Sequence, residues 1–295
     1  MASVESNGIT IEYTEEGDGE PMLLIMGLSG QLIDWPEGFV SMLVDHGFRV
    51  IRHDNRDAGL SSATEGEPPT FAQNLRSLVL RRRSPAAYTV TDMADDAAGL
   101  LAAIGVDAAH VVGVSMGGMI AQSMAINHPD RVRSLTSIMS NTGDQKRGRI
   151  SPRIMPKLLA AARSTPSRHE AAEVATDMYR LFAGSEWDRR DHLERAQAAI
   201  DRSFRPEGTA HQTAAIGASP DRTAALAEVT APTLVIHGLL DTLVVPSGGM
   251  ATAEAVPGSR LLMFAEMGHD LPESRWAEMA KAIADNARRA PVGAR

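Results

Sequence analysis

At Gly113-Val-Ser115-Met-Gly117 the apolar run His110-Val111-Val112 gives way abruptly to the helix-forming stretch Gly118-Met-Ile-Ala-Gln-Ser-Met-Ala. Strand, tight turn and helix must follow one another here within a few residues, with a serine at the apex. A turn that sharp leaves little room beside the serine, and glycine two positions to either side relieves the crowding. The Ser115 hydroxyl then projects from the end of a sheet, and the following helix directs its amide dipoles toward it. That arrangement suits a nucleophile. A Gly/Ser-rich turn that merely supports the fold would read the same way.

The rest of the chain is laid out to match. Strands are expected at Ile9 to Tyr13, Met22 to Met26, Phe48 to Ile51, Val111 to Val114, Val132 to Met139, Thr233 to His237 and Arg260 to Phe264. Helical spacing appears at Asp34 to Asp45, Thr91 to Ile104, Met116 to Asn127, Ser247 to Ala255 and Ser274 to Arg288. Such alternation predicts an α/β fold, a mostly parallel sheet flanked by helices on both faces. Between about Asp144 and Asp221 the alternation stops. Only helices are expected there, near Ile154 to Ala162, His169 to Phe182, Asp188 to Phe204 and Gly208 to Ile216, punctuated by Pro152, Pro156, Pro166 and Pro206. The expected organisation is therefore a core in two parts, 1–143 and 222–295, interrupted by a helical cap at 144–221. A loop-plus-helix stretch from Gly66 to Tyr88 is a second candidate for the entrance.

Composition narrows the function classes. The 295 residues hold no cysteine, which excludes thiol catalysis, disulfides and zinc thiolates and fits a cytoplasmic setting. A formal net charge of −8 argues against a general nucleic-acid surface. The strongest basic run, Arg81-Arg82-Arg83, reads as an exposed helix end or loop. The first residues lack the basic-then-apolar pattern of a secretion leader, and apolar stretches elsewhere are too short or interrupted to span a bilayer. Aromatic residues make up only 4% against 15 methionines, so an apolar cavity is expected to be lined by aliphatic and thioether groups.

A serine hydroxyl needs a base to take its proton. His269, in Ala265-Glu-Met-Gly268-His269-Asp270 just beyond a strand, is the first choice; His237 and His53 are alternatives. Asp241, at the end of the strand Leu234-Val-Ile-His-Gly238, is the expected orienter of the imidazole. Asp144 is the reserve acid, and Asp270 stands too close to His269 to be preferred. An oxygen made negative by attack on a carbonyl would meet two backbone amides, those of Leu28 and Met116, with Ser29 a further possible donor. In Asp54-Asn-Arg56-Asp57-Ala-Gly59-Leu-Ser61, Asp54 and Arg56 are expected to brace neighbouring loops. The apolar positions Met155, Leu158, Leu159, Met178, Leu181 and Phe182 suit either substrate contact or helix packing.

Taken together, Met26-Gly-Leu-Ser29, Asp54-Asn-Arg56-Asp57-Ala-Gly59-Leu-Ser61, Gly113-Val-Ser115-Met-Gly117-Gly118, His128-Pro-Asp-Arg-Val132, His237-Gly-Leu-Leu-Asp241 and Gly268-His269 resemble the α/β-hydrolase superfamily over nearly the whole chain. The anthracycline methylesterases, such as aclacinomycin methylesterase, are the subgroup it most resembles. The resemblance implies a carboxylic ester hydrolase acting through an acyl-enzyme on a small or medium apolar substrate and water, with Ser115, Asp241 and His269 as its triad. It implies no metal and no organic cofactor. Lactone, amide or C–C hydrolysis, cofactor-free perhydrolysis and a non-catalytic binding protein of the same fold remain alternatives. Two positions depart from the pattern: Met26 replaces a common histidine, and Asp57 replaces the glycine usual after this arginine. The second is expected to change the loop's shape or to set another carboxylate near the entrance.

Overall fold

Alternate residues of the strand Glu20–Ile25 are sorted to opposite faces. Leu23 and Ile25 belong to one apolar cluster, Met22 and Leu24 to another. That period of two, with both faces buried, is what a central strand covered by helices on both sides requires. The computed structural model describes residues 1–70, 73, 85–161 and 166–291. Most of the Gly66 to Tyr88 stretch, Arg81-Arg82-Arg83 included, lies outside the described residues.

Eight strands form one sheet: β1 (Ala2–Ser6), β2 (Ile9–Glu16), β3 (Glu20–Ile25), β4 (Phe48–His53), β5 (Ala109–Val114), β6 (Val132–Ile138), β7 (Thr233–Gly238) and β8 (Arg260–Phe264). Their spatial order is β1-β2-β4-β3-β5-β6-β7-β8. β1 and β2 join antiparallel, and every pairing from β4 onward is parallel. The chain passes from β3 outward to β4, then returns to place β5 on β3's other side. The crevice outside those two strand ends is where ligands bind in open sheets of this type.

Among the described residues, α1 (Glu37–Asp45) packs on one face. α2 (Val90–Ala103) and α3 (Met116–Asn127) pack on the other. α2 begins one residue before the expected Thr91, because Thr89 is its N-cap and bonds through its amide and hydroxyl to Asp92 at 2.7 Å. α3 is buried from Met116 to Ala125 on every side, Gln122 and Ser123 included, as a helix wedged between sheet and neighbours must be. The segment between β6 and β7 contributes α4 (Met155–Ala161), α5 (Ala171–Tyr179), α6 (Arg189–Arg202) and α7 (Pro206–Ala218). α8 (Ser247–Ala255) and α9 (Trp276–Ala287) follow, with α9 against α1. No described helix is long and apolar enough to cross a membrane.

Candidate active site

The turn after β5 forces Ser115 to φ 55° and ψ −119°, a backbone conformation unfavourable for an L residue. It is held there by its surroundings: the Ser115 amide donates to the Ile138 carbonyl at 2.9 Å, and the Ser140 hydroxyl donates to the Ser115 carbonyl at 2.7 Å. The flanking glycines are demanded by contact. A Cβ on Gly113 would lie 2.0 Å from the Gly117 carbonyl oxygen, and one on Gly117 would lie 2.0 Å from that of Ile25. The first turn of α3 therefore sits directly on the end of β3.

Ser115 Oγ lies 2.9 Å from His269 Nε2, and His269 Nδ1 lies 2.7 Å from Asp241 Oδ2. A carboxylate only accepts, so Nδ1 carries the proton and Nε2 is left to accept from the hydroxyl. Such a chain can draw a proton from the serine onto the ring and hold the resulting cation against a fixed anion. Asp241 is 2% exposed and well supplied with donors. Its Oδ1 accepts from the amides of Leu243 at 2.9 Å and Val244 at 2.8 Å. Burial opposes its ionisation, but the facing His269 ring with its hydrogen bond, and the neighbouring His237, outweigh that and hold the carboxyl down at about 2.

The other residues weighed from sequence fall elsewhere. His237 donates through Nε2 to the Val244 carbonyl at 2.8 Å, behind Asp241. His53 is buried inside the sheet, and burial lowers its pKa to about 4. Asp144 accepts from the Lys146 amide at 2.7 Å and makes no hydrogen bond to His269 among the described residues. Asp270 accepts from the amides of Gly184 and Gly268, both at 2.9 Å, and its pKa is raised by burial. Ser29, considered as a side-chain donor, offers its main-chain amide to Gln212 Oε1 at 2.7 Å.

The loop after β3 runs beside the serine. A Cβ on Gly27 would come within 3.1 Å of Ser115 Cβ. Neither the Leu28 amide nor the Met116 amide donates to an acceptor among the described residues. For Met116 the reason is general, since the first amides of a helix have no intrahelical partner.

The Asp54 to Ser61 loop works as a brace. Asp54 is fully buried, accepts from the amides of Leu32 at 2.7 Å and Leu60 at 2.8 Å, and pairs with Arg202 at 2.8 Å. Arg56 pairs with Asp96 at 2.5 Å. Asp57 takes the left-handed φ of 67° that a glycine would adopt at little cost. Its carboxylate is occupied by the Tyr88 hydroxyl at 2.6 Å and by Thr64, so the loop keeps the glycine-like shape and the extra charge is tied down.

The helical insertion reaches the site from two sides. Near α5, the Tyr179 hydroxyl donates to the His269 carbonyl at 2.8 Å, and the His269 amide donates to the Phe182 carbonyl at 2.7 Å. The Phe182 ring meets the imidazole edge-on at 5.8 Å. Gly268 permits that clasp, because a Cβ there would lie 2.4 Å from the Phe182 carbonyl oxygen. From α6 and α7, Arg202 donates to Gln31 Oε1 at 2.7 Å and Gln212 binds the Ser29 amide. The sequence reading did not single out Gln212, Gln31 or Arg202. For Gln212 a signal existed: it shares a helix face with Gly208, His211 and Ala215, and a polar side chain in such a stripe must find partners.

Between insertion and strand ends lies a cleft of about 2970 Å³, bounded by Ser115, His269, Leu28, Met119, Met139 and Phe182 among others. No cluster of three or more His, Asp or Glu suited to a metal ion occurs among the described residues.

Residues 20–275 match the model of the alpha/beta hydrolase fold family, and the chain belongs to that family. It is 29% identical to rhodomycin D methylesterase DauP of Streptomyces sp. (strain C5), over 94% of this chain and 95% of that one. It is 26% identical to the 2-hydroxy-6-oxo-6-phenylhexa-2,4-dienoate hydrolase of Comamonas testosteroni, over 92% and 87%. Among solved structures it is similar to a thermophilic esterase from Thermogutta terrifontis, with a TM-score of 0.73 at 26% identity covering 98% of this chain and 99% of that one. The enol-lactonase of Burkholderia xenovorans LB400 shares the fold at a TM-score of 0.74 and 23% identity, covering 97% and 100%.

Proposed function

We propose that the protein is a serine hydrolase that cleaves a carboxylic ester of an apolar organic substrate through an acyl-enzyme. The observation that carries this reading is the hydrogen-bonded series Ser115 Oγ, His269 Nε2, His269 Nδ1 and Asp241 Oδ2, at 2.9 and 2.7 Å. His269 takes the serine proton as Oγ attacks the ester carbonyl. The carbonyl oxygen, now negative, is received by the Leu28 and Met116 amides, whose N–H groups make no bond within the described residues. Collapse expels the alcohol, which takes its proton from His269. Water, deprotonated by the same ring, then attacks the acyl-serine and releases the acid.

In this reading the β6–β7 insertion, residues 144–221, acts as a cap over the strand ends. The cleft beneath it exceeds the roughly 300–1,000 Å³ of an ordinary small-molecule pocket, which accommodates a bulky acyl part. The methylesterase and esterase named above support ester chemistry.

The test is turnover of a panel of carboxylic esters together with labelling by a fluorophosphonate. Wild-type protein should hydrolyse at least one ester and take up one phosphonate, located on Ser115 by peptide mass spectrometry. Ser115→Ala should lose the label and lower kcat on the order of 10⁴- to 10⁶-fold. Undiminished turnover in that variant would refute the assignment.

A further inference from the structure

The Leu28 amide belongs to a loop held on one side by its own turn and on the other by a distant side chain. On one side the geometry is local: the Gly30 amide donates to the Gly27 carbonyl at 3.1 Å, closing a turn. Because a trans peptide is planar, fixing that carbonyl fixes the Leu28 N–H on the opposite side of the same unit. On the other side, Ser29 stands at φ 60°, a left-handed conformation that costs an L residue about 1–2 kcal/mol. Its N–H makes no main-chain hydrogen bond among the described residues.

What holds that second peptide comes from 183 residues away in sequence. Gln212, on α7, is completely buried; its Oε1 accepts from the Ser29 amide at 2.7 Å and its Nε2 donates to the Arg56 carbonyl at 2.8 Å. The two partners dictate the orientation of the side-chain amide, since an N–H requires the oxygen and a carbonyl requires the nitrogen. Gln212 thereby ties the loop after β3 to the loop after β4, at the crevice where Ser115 emerges. No other side chain among the described residues bonds the Ser29 amide.

We infer that Gln212 is a positioning residue for the Leu28 amide: by pinning the Ser29 peptide it keeps the neighbouring N–H aimed at the oxygen that becomes negative during attack. The inference rests on the acyl-transfer reading above. It makes the helical insertion part of the electrostatic machinery as well as a cover, because one of the two stabilising donors owes its aim to α7. Deleting such a donor outright costs on the order of 10²–10³-fold in kcat. A donor left in place but free to swing is expected to cost less.

The experiment compares wild type, Gln212→Met and Gln212→Glu as purified full-length proteins. Methionine approximates the shape and makes neither bond; glutamate keeps the acceptor for Ser29 and loses the donor to Arg56. Each is measured for kcat and KM on the best ester of the panel, and for the second-order rate of fluorophosphonate labelling, whose P=O oxygen probes the same donors. Circular dichroism gives the folded fraction. Gln212→Met should lower kcat by about 10- to 100-fold with KM within about twofold, and labelling should slow by a similar factor. Gln212→Glu should recover part of both losses. Equal losses in the two variants, an effect confined to KM, a loss matched by unfolded protein, or a Gln212→Met enzyme as fast as wild type would each overturn the positioning role while leaving ester hydrolysis intact. A wild-type protein that neither turns over esters nor takes the label would remove the acyl-transfer reading itself, and the inference with it.

Discussion

Asp241 is buried yet ionised because its oxygens receive two loop amides and the His269 imidazole, with the His237 ring 3.3 Å away. Its folded pKa of about 2 lies below the ordinary 3.8, so the unfolded chain takes up this proton first as the pH falls. The group therefore contributes stability that is complete above pH 4 and is lost as the pH drops toward 2, on the order of 2 kcal/mol. Asp241→Asn lacks that contribution. The difference in unfolding free energy between wild type and Asp241→Asn, followed by urea titration, should shrink as the pH is lowered from about 4 to about 2. A difference that stays level or grows over that interval contradicts a paired, ionised carboxylate. The site's strain is concentrated at Ser115, whose backbone angles are maintained by the Ile138 carbonyl and the Ser140 hydroxyl.

α3 owes its position to the absence of two side chains. With Gly117 pressed on the Ile25 carbonyl, Gly117→Ala must push the first turn of α3 off the end of β3. Overpacking of this kind typically costs about 1–3 kcal/mol. A chemical-denaturation midpoint lowered by that amount, with impaired ester turnover in the protein that remains folded, is the expected result; an unchanged midpoint would show that the turn can yield. The elements most legible in the sequence were those buried almost throughout their length. β5, α3 and β7 lie where the apolar runs placed them, since burial leaves a mostly hydrophobic signature. β1 was missed because Ala2–Ser6, at the sheet edge, is short and largely exposed, with Val4 its one large apolar residue. The expected helix from Asp34 opens instead as a 3₁₀ turn over Leu32–Asp34, with α1 beginning after Pro36. Ser115, Asp241 and His269 could be singled out because each follows a recognisable strand. Gln212 could not be assigned, because its partners are 156 and 183 residues away and no local pattern encodes them.

Across the molecule, the helical insertion is joined to the sheet by buried charge as well as by packing. Arg202 of α6 reaches Asp54, which is wholly buried behind β4, and also holds Gln31. Removing one member of such a pair leaves an uncompensated charge in the interior, a change that typically costs about 3–5 kcal/mol. Arg202→Met should therefore destabilise the whole protein by roughly that amount in urea titration. A variant that unfolds at the wild-type midpoint would mean that Asp54 is satisfied by the Leu32 and Leu60 amides alone. The insertion thus touches the His269 loop through Tyr179 and Phe182, and the loop after β3 through Arg202 and Gln212. If the insertion selects the substrate as proposed, transplanting that segment from a cousin would carry off those four handholds together with the old walls. Room for redesign lies in the side chains that look into the cleft, while the ones that grip the strand ends must travel with any graft.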